Sequence, residues 1–157
     1  MAFIVEDGTG VPDSNSYLSV SEAETILTDL GYDTFPTESD LVNASLYVDM
    51  YIDPASFMLT EDQGLLWPRV KFTDNQGREV EGIPKALKRT VAVIAAEFIE
   101  EDLFDVEPAV MSEDYGDSSV EFAAPQTKPG KVVTQLNYLK VLGYGSSNTA
   151  SVRLIRA

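Results

Sequence analysis

Six oxygen-bearing side chains recur near the N-terminus: Asp13, Asn15, Tyr17, Ser19, Ser21 and then Glu24. The spacing echoes a calcium loop, in which carboxylate, amide and carbonyl oxygens surround a hard cation. Leu18 stands where such a loop needs its glycine, and Ser19 to Glu24 are better explained as the capped start of a helix. Gly8-Thr9-Gly10 and Gly143-Tyr144-Gly145 lack the lysine and the helix context of a phosphate loop and are more simply turns. General acid–base work would fall to carboxylates, Lys and Tyr, and 26 Asp and Glu make some pair available everywhere. The chain has no cysteine and no histidine. Thiol nucleophiles, His-based triads, zinc fingers, imidazole metal sites and disulfides are therefore excluded. The expectation is a protein with no catalytic residues, no metal and no cofactor.

Charge narrows the choice of partners. The 157 residues carry 11 Lys and Arg against 26 acids, for a net charge of −15. Residues 1–67 contain no base at all, residues 69–127 sum to −7, and residues 128–157 sum to +5 with no acid. Trp67 and the seven tyrosines could stack on bases, but no basic track accompanies them in residues 1–67. Core and interface packing suits them better. The basic tail is either a solvated end or a reach toward an acidic partner, and composition leaves both open. A hydrophobic fraction of 44% is too high for a disordered chain, and no run of about 18 apolar residues exists to span a membrane. The opening MAFIVEDGTG lacks the basic-then-apolar layout of a signal peptide, so the chain is expected to stay where it is made.

The elements that must position these residues are mainly helical. Residues 3–5 suggest a short edge strand. Ser19-Val20-Ser21-Glu22 is a capping box, with Leu18 and Ala23 at the staple positions, and the helix it opens stops at Gly31. A second helix starts after Thr37 or Ser39, buries Leu41, Ala44, Val48, Tyr51 and Ile52, and ends at Asp53-Pro54. A short helical turn is expected after Thr60, up to Trp67-Pro68. Val70 to Thr73, the turn Asp74-Asn75-Gln76-Gly77, and Arg78 to Val80 make a β-hairpin. Pro84 sits at the first position of a third helix, which buries Leu87, Val91, Ile94, Ala95 and Phe98 and runs to about Leu103. The fold class is mainly α (α+β), a small helical bundle with a β-hairpin and an extended C-terminal arm. Residues 1–106 form the helical core and 107–130 an extended arm or loop. Residues 131–157 form a C-terminal segment, strand-like or a docking tail, in which 131–142 is ambiguous between strand and helix.

Two groups of residues are candidates for partner contact. Lys85, Lys88 and Arg89 crowd the first turns of the third helix, while Glu97, Glu100, Glu101 and Asp102 crowd its last. Both placements oppose the helix dipole. Either solvent and salt absorb the cost, or these charges meet opposite charges on a neighbouring copy in a head-to-tail ring. The alternating tail Val152, Arg153, Leu154, Ile155 and Arg156 would serve equally as an edge strand added to another chain or as an internal strand.

Four segments occur in a specific order: VEDGTGVPDSNSYLSVSEAE, LLWPR at residues 65–69, DNQGREV, and IPKALKR. This ordered set resembles the head–tail connector (adaptor) proteins of tailed bacteriophages, in the group also described as DnaT-like single-stranded-DNA-binding proteins. The resemblance covers about residues 4–104, and residues 105–157 look unlike the usual ending. It implies a helical-bundle subunit in a homo-oligomeric ring of twelve beneath the portal protein, gripping its neighbours with an extended arm. Such a ring lines the DNA exit channel, lets genomic DNA pass without specific binding, and meets the next neck or tail protein, a stopper or tail terminator. It would be made in the bacterial host cytoplasm and end in the neck of the virion. An acidic wall that repels phosphates suits a channel through which DNA slides. Two competing readings are a replication-associated protein that binds single-stranded DNA, which the net charge of −15 opposes, and an acidic DNA-mimic inhibitor.

Overall fold

A computed structural model describes residues 2–105, 113–115, 118–120 and 129–145, the two short middle stretches as backbone only. The tail residues Val152 to Arg156 and most of 106–128 lie outside these. The fold is helix-dominated α+β, with four helices and two two-stranded antiparallel hairpins among the described residues.

Helix α1 (Val20–Asp29) begins at the capping box read from the sequence: the Ser19 hydroxyl accepts from the Glu22 N–H, and the Glu22 carboxylate accepts from the Ser19 N–H at 2.8 Å. Leu18 and Ala23 are both fully buried, and Gly31 leaves the helix at φ +85°. Helix α2 (Glu38–Tyr51) carries a second capping box, Thr37 with Asp40. Leu41, Ala44, Val48 and Ile52 are buried on its expected face, with Tyr51 half-buried. Strands β1 (Phe72–Thr73) and β2 (Glu79–Val80) pair Phe72 with Val80 and Thr73 with Glu79. The Asp74 carboxylate closes the turn by accepting from the Gln76 and Arg78 N–H groups, with Gly77 at φ +77°.

Helix α3 (Lys85–Glu100) is the centre of the molecule, since α1, α2 and α4 (Gly130–Leu142) all pack on it. The expected face is buried, and so is the opposite side: Ala92, Val93 and Ala96. A helix apolar all round is a core helix. Residues 131–142, open between strand and helix in the sequence, lie within α4, which buries Val132, Leu136 and Leu139 as it packs on α3. The hairpin turn holds the far end of α4, where the Asn75 side chain and backbone N–H donate to the Val141 and Leu142 carbonyls. These are among the carbonyls a helix end leaves free. Tyr144 then packs edge-on against Trp67. Within the expected arm, β3 (Glu113–Tyr115) and β4 (Ser118–Val120) pair as a second hairpin.

Four boundaries differ from the sequence reading. Residues 3–5 make one parallel bridge, Val5 to Ser16, in place of an edge strand. Pro84 is the N-cap, extended at ψ 140°, so α3 starts one residue later. The helix stops at Glu100 because Glu101 turns extended, which still lets Leu103 fold back into the core. No helical turn forms over residues 60–67. There the Gln63 amide holds the loop instead, accepting from the Thr60 N–H and donating to the Leu65 and Pro68 carbonyls. Gly64 is the residue that lets this loop approach the N-terminal loop, since a Cβ there would sit 2.0 Å from the Ser14 carbonyl oxygen. Backbone cannot yield as a flexible side chain does. Gly64→Ala is therefore expected to destabilise the chain by about 2 kcal/mol or more, read from urea unfolding. Unchanged stability would show that the two loops separate without cost.

Candidate functional site

The charges at the two ends of α3 divide into those neutralised inside the chain and those left outward. At the first turns, the Lys88 ammonium lies 2.9 Å from the Glu22 carboxylate on α1. Burial alone would push the Glu22 carboxyl up, but the Ser19 N–H and Lys88 outweigh it and hold it below the ordinary range. Lys85 and Arg89 remain exposed, four residues apart and so on one side of the helix. With Ile26, Asp29 and Leu30 of the α1 end they line a groove of about 350 Å³. At the last turns, Glu97 meets Lys131 of α4 at 3.4 Å, and its charge raises the Lys131 ammonium above its ordinary value. Lys131 also lies over the Tyr32 ring, 5.4 Å from its centre. Glu100, Glu101 and Asp102 remain exposed, with Asp102 accepting from the Phe104 N–H. Ile99 and Phe104 stand beside them, 41% and 38% exposed. Of the seven α3 candidates, Lys88 and Glu97 are thus satisfied within the subunit. Both partners were invisible in the sequence, since Glu22 and Lys131 are 66 and 34 residues away.

Two of the four motifs that carried the family resemblance, the N-terminal segment and LLWPR, meet at a buried polar cluster. The Tyr17 hydroxyl donates to Asp49 Oδ1 at 2.5 Å and accepts from the Trp67 N–H, while Asp49 Oδ2 accepts from the Leu66 N–H at 3.0 Å. The Arg69 guanidinium donates to the carbonyls of Pro54, Ala55, Ser56 and Leu66. It pins both sides of the 54–69 loop, which contains the cis Trp67–Pro68 peptide bond. In the N-terminal loop the Glu6 carboxylate accepts from the N–H groups of Gly8, Gly10 and Val11 and from the Ser14 hydroxyl. Neither Asp49 nor Glu6 was singled out in the sequence. A carboxylate placed before a Gly-rich loop was the available signal for Glu6; nothing local marks Asp49.

This cluster is structural chemistry. Burial pushes Asp49 up to about 6, against the Tyr17 hydroxyl, the Leu66 N–H and the charge of Arg69. Burial first, and then the Asp49 charge, pushes the Tyr17 hydroxyl well above its ordinary value. Tyr17 is fully buried, so no substrate reaches it. The calcium-like series is spent in the same way, with Asn15 bonded to the Ile4 N–H, Tyr17 to Asp49, and Ser19 on the α1 cap. Among the described residues no group of three or more acidic side chains gathers where it could hold a metal, and no helix is long and apolar enough to cross a membrane.

A family model described as "Putative DnaT-like ssDNA binding protein" matches residues 1–157. The chain belongs to that family. Its match includes residues 105–157, which look unlike the connector ending, so the C-terminal part is family sequence as well. No curated protein and no solved structure matches the chain. In this family member the 54–69 loop is thus held in part by Tyr17 and Asp49, which only the fold brings to it, while Glu6 and Asp74 hold the N-terminal loop and the hairpin turn from close by in the chain.

Asp49 gives the cluster a pH signature. Its carboxyl holds a proton in the folded chain where the unfolded chain has lost it, so its contribution is fullest below about pH 4 and declines as pH rises to about 6. Asp49→Asn sets an amide N–H against either the Leu66 N–H or the Tyr17 hydroxyl, and is expected to cost about 1–3 kcal/mol. The stability gap between wild type and variant should narrow across that window and stay constant above it. Urea melts at stepped pH check this; a flat gap would mean that Asp49 does not titrate there.

Proposed function

We propose that the chain is a structural assembly subunit with no catalytic role. In this reading it belongs to the head–tail connector ring of a tailed bacteriophage, in the neck of the virion. It joins copies of itself, the portal protein and the next neck or tail protein, and genomic DNA passes without being bound specifically. The observation that carries the reading is how the bases are used. Arg69 is held by four backbone carbonyls, Arg78 by Asp74, Lys88 by Glu22 and Lys131 by Glu97. Sequence-independent DNA affinity comes from free cations that neutralise phosphates. Four of the eleven bases are engaged in this way; among the described residues Lys71, Lys85, Arg89 and Lys140 are the others, set against a net charge of −15. Large apolar side chains are exposed instead, among them Phe57 at 83% and Val141 at 73%. Such groups suit protein partners.

The family description favours a second reading, a replication-associated protein that binds single-stranded DNA. Two measurements separate them. Fluorescence anisotropy with a labelled oligonucleotide at about 150 mM salt is expected to show no tight binding. Quantitative mass spectrometry of gradient-purified particles is expected to find this chain and the portal protein at near-equal copy number. Tight, salt-sensitive oligonucleotide binding together with absence from particles would overturn the assembly reading.

A further inference from the structure

Two end surfaces of the same subunit complement each other. At the start of α3, Lys85 and Arg89 project beside Ile26 and Leu30. At its finish, Glu100, Glu101 and Asp102 project beside Ile99 and Phe104. The first end is led by the two outward bases, with Asp29 of α1 also in its groove, and the second by three outward acids, with Lys131 of α4 beside Glu97; the leading charges are opposite, and each end has apolar side chains next to them. Sixteen helical residues separate them by about 24 Å, so they cannot satisfy each other within one chain. Each is also unfavourable in the isolated subunit, because cations sit at the positive end of the helix dipole and acids at the negative end. The fold neutralises one charge at each end from inside, with Glu22 and Lys131, and leaves two bases and three acids outward. Pro84 caps α3 without a side-chain hydrogen bond.

We propose that copies of this chain join head to tail through these two ends, Lys85 and Arg89 of one copy against Glu100, Glu101 and Asp102 of the next. The proposal rests on the assembly reading and names its interface between copies. Contact places acids at the positive end of one helix and bases at the negative end of another, which relieves both unfavourable placements. Leu30 and Ile26 meet Ile99 and Phe104 and exclude water at the centre, leaving the charges on the rim, where they set orientation and encounter rate. Because the two surfaces differ, the contact is heterologous and propagates from copy to copy, closing as a ring where the rotation between copies allows it.

The test uses the full chain and two charge-reversed variants, Lys85→Glu/Arg89→Glu and Glu100→Lys/Glu101→Lys/Asp102→Lys. All five positions are exposed, and circular dichroism with thermal melting confirms that each variant folds. Native mass spectrometry and sedimentation read the assembly. The wild type is expected to form oligomers that weaken at high salt. Each variant alone presents like charges at both ends and is expected to be blocked, with apparent affinity between copies reduced at least tenfold. Mixed together, the two variants are complementary at both contacts and should assemble in strict alternation at equal stoichiometry. If either variant assembles as well as the wild type, or the mixture fails to assemble, this interface is wrong while the assembly reading stands. If the wild type stays monomeric up to millimolar concentration and binds oligonucleotide tightly, both fall. If it stays monomeric without binding oligonucleotide, the end-to-end contact is overturned, and copy number in particles decides the assembly reading separately.

Discussion

A helix that carries Ala92, Val93 and Ala96 on one side and Leu87, Val91 and Ile94 on the other has no side to offer water. Burying such a helix requires partners all round it, and α1, α2 and α4 supply them. This one constraint organises the rest of the subunit. It draws residues 130–142 back across the molecule to close the core, through Val132, Leu136 and Leu139. It also confines the charges of α3 to its two ends, the only stretches not enclosed. The arrangement that opposes the helix dipole is thus the remainder left when the whole middle of a helix is committed to packing.

The loops obey a complementary rule. Between Tyr51 and Phe72 the chain has no regular element to absorb its backbone polar groups. Side chains take that role: Arg69 gathers four carbonyls, the Gln63 amide three groups, and Asp49 with Tyr17 the N–H groups of Leu66 and Trp67. A buried polar group without a partner is costly, so each of these contacts is tied to the others. Arg69, committed to four carbonyls, is thereby withdrawn from outside partners.

The elements most legible in the sequence were those set by nearest neighbours. Ser19 with Glu22, Gly31, Asp53-Pro54 and the Asp74 to Gly77 turn act over four residues or fewer, and each appears where its chemistry put it. The helical turn expected over 60–67 failed for a tertiary reason, because the Gln63 amide and the approach of Gly64 to Ser14 offer that backbone other partners. The seven charged candidates on α3 were visible as a pattern, but the pattern could not separate Lys88 and Glu97 from the rest.

By itself, then, the sequence determined the helical α+β class, the caps and the turn, the absence of cysteine and histidine chemistry, and the sign and placement of charge. These follow from composition and from interactions between residues close in the chain. Tertiary structure alone decided that α3 is enclosed on every side, that residues 130–142 are helix rather than strand, and which α3 charges are already satisfied. It also decided that Asp49 and Glu6 organise two loops. Apart from the Glu6 contacts, which span two to eight residues, each of these depends on a contact between residues far apart in the chain, such as Glu22 with Lys88 or Tyr17 with Asp49. A local pattern shows what a residue can do, and only the packed fold shows which partner reaches it first.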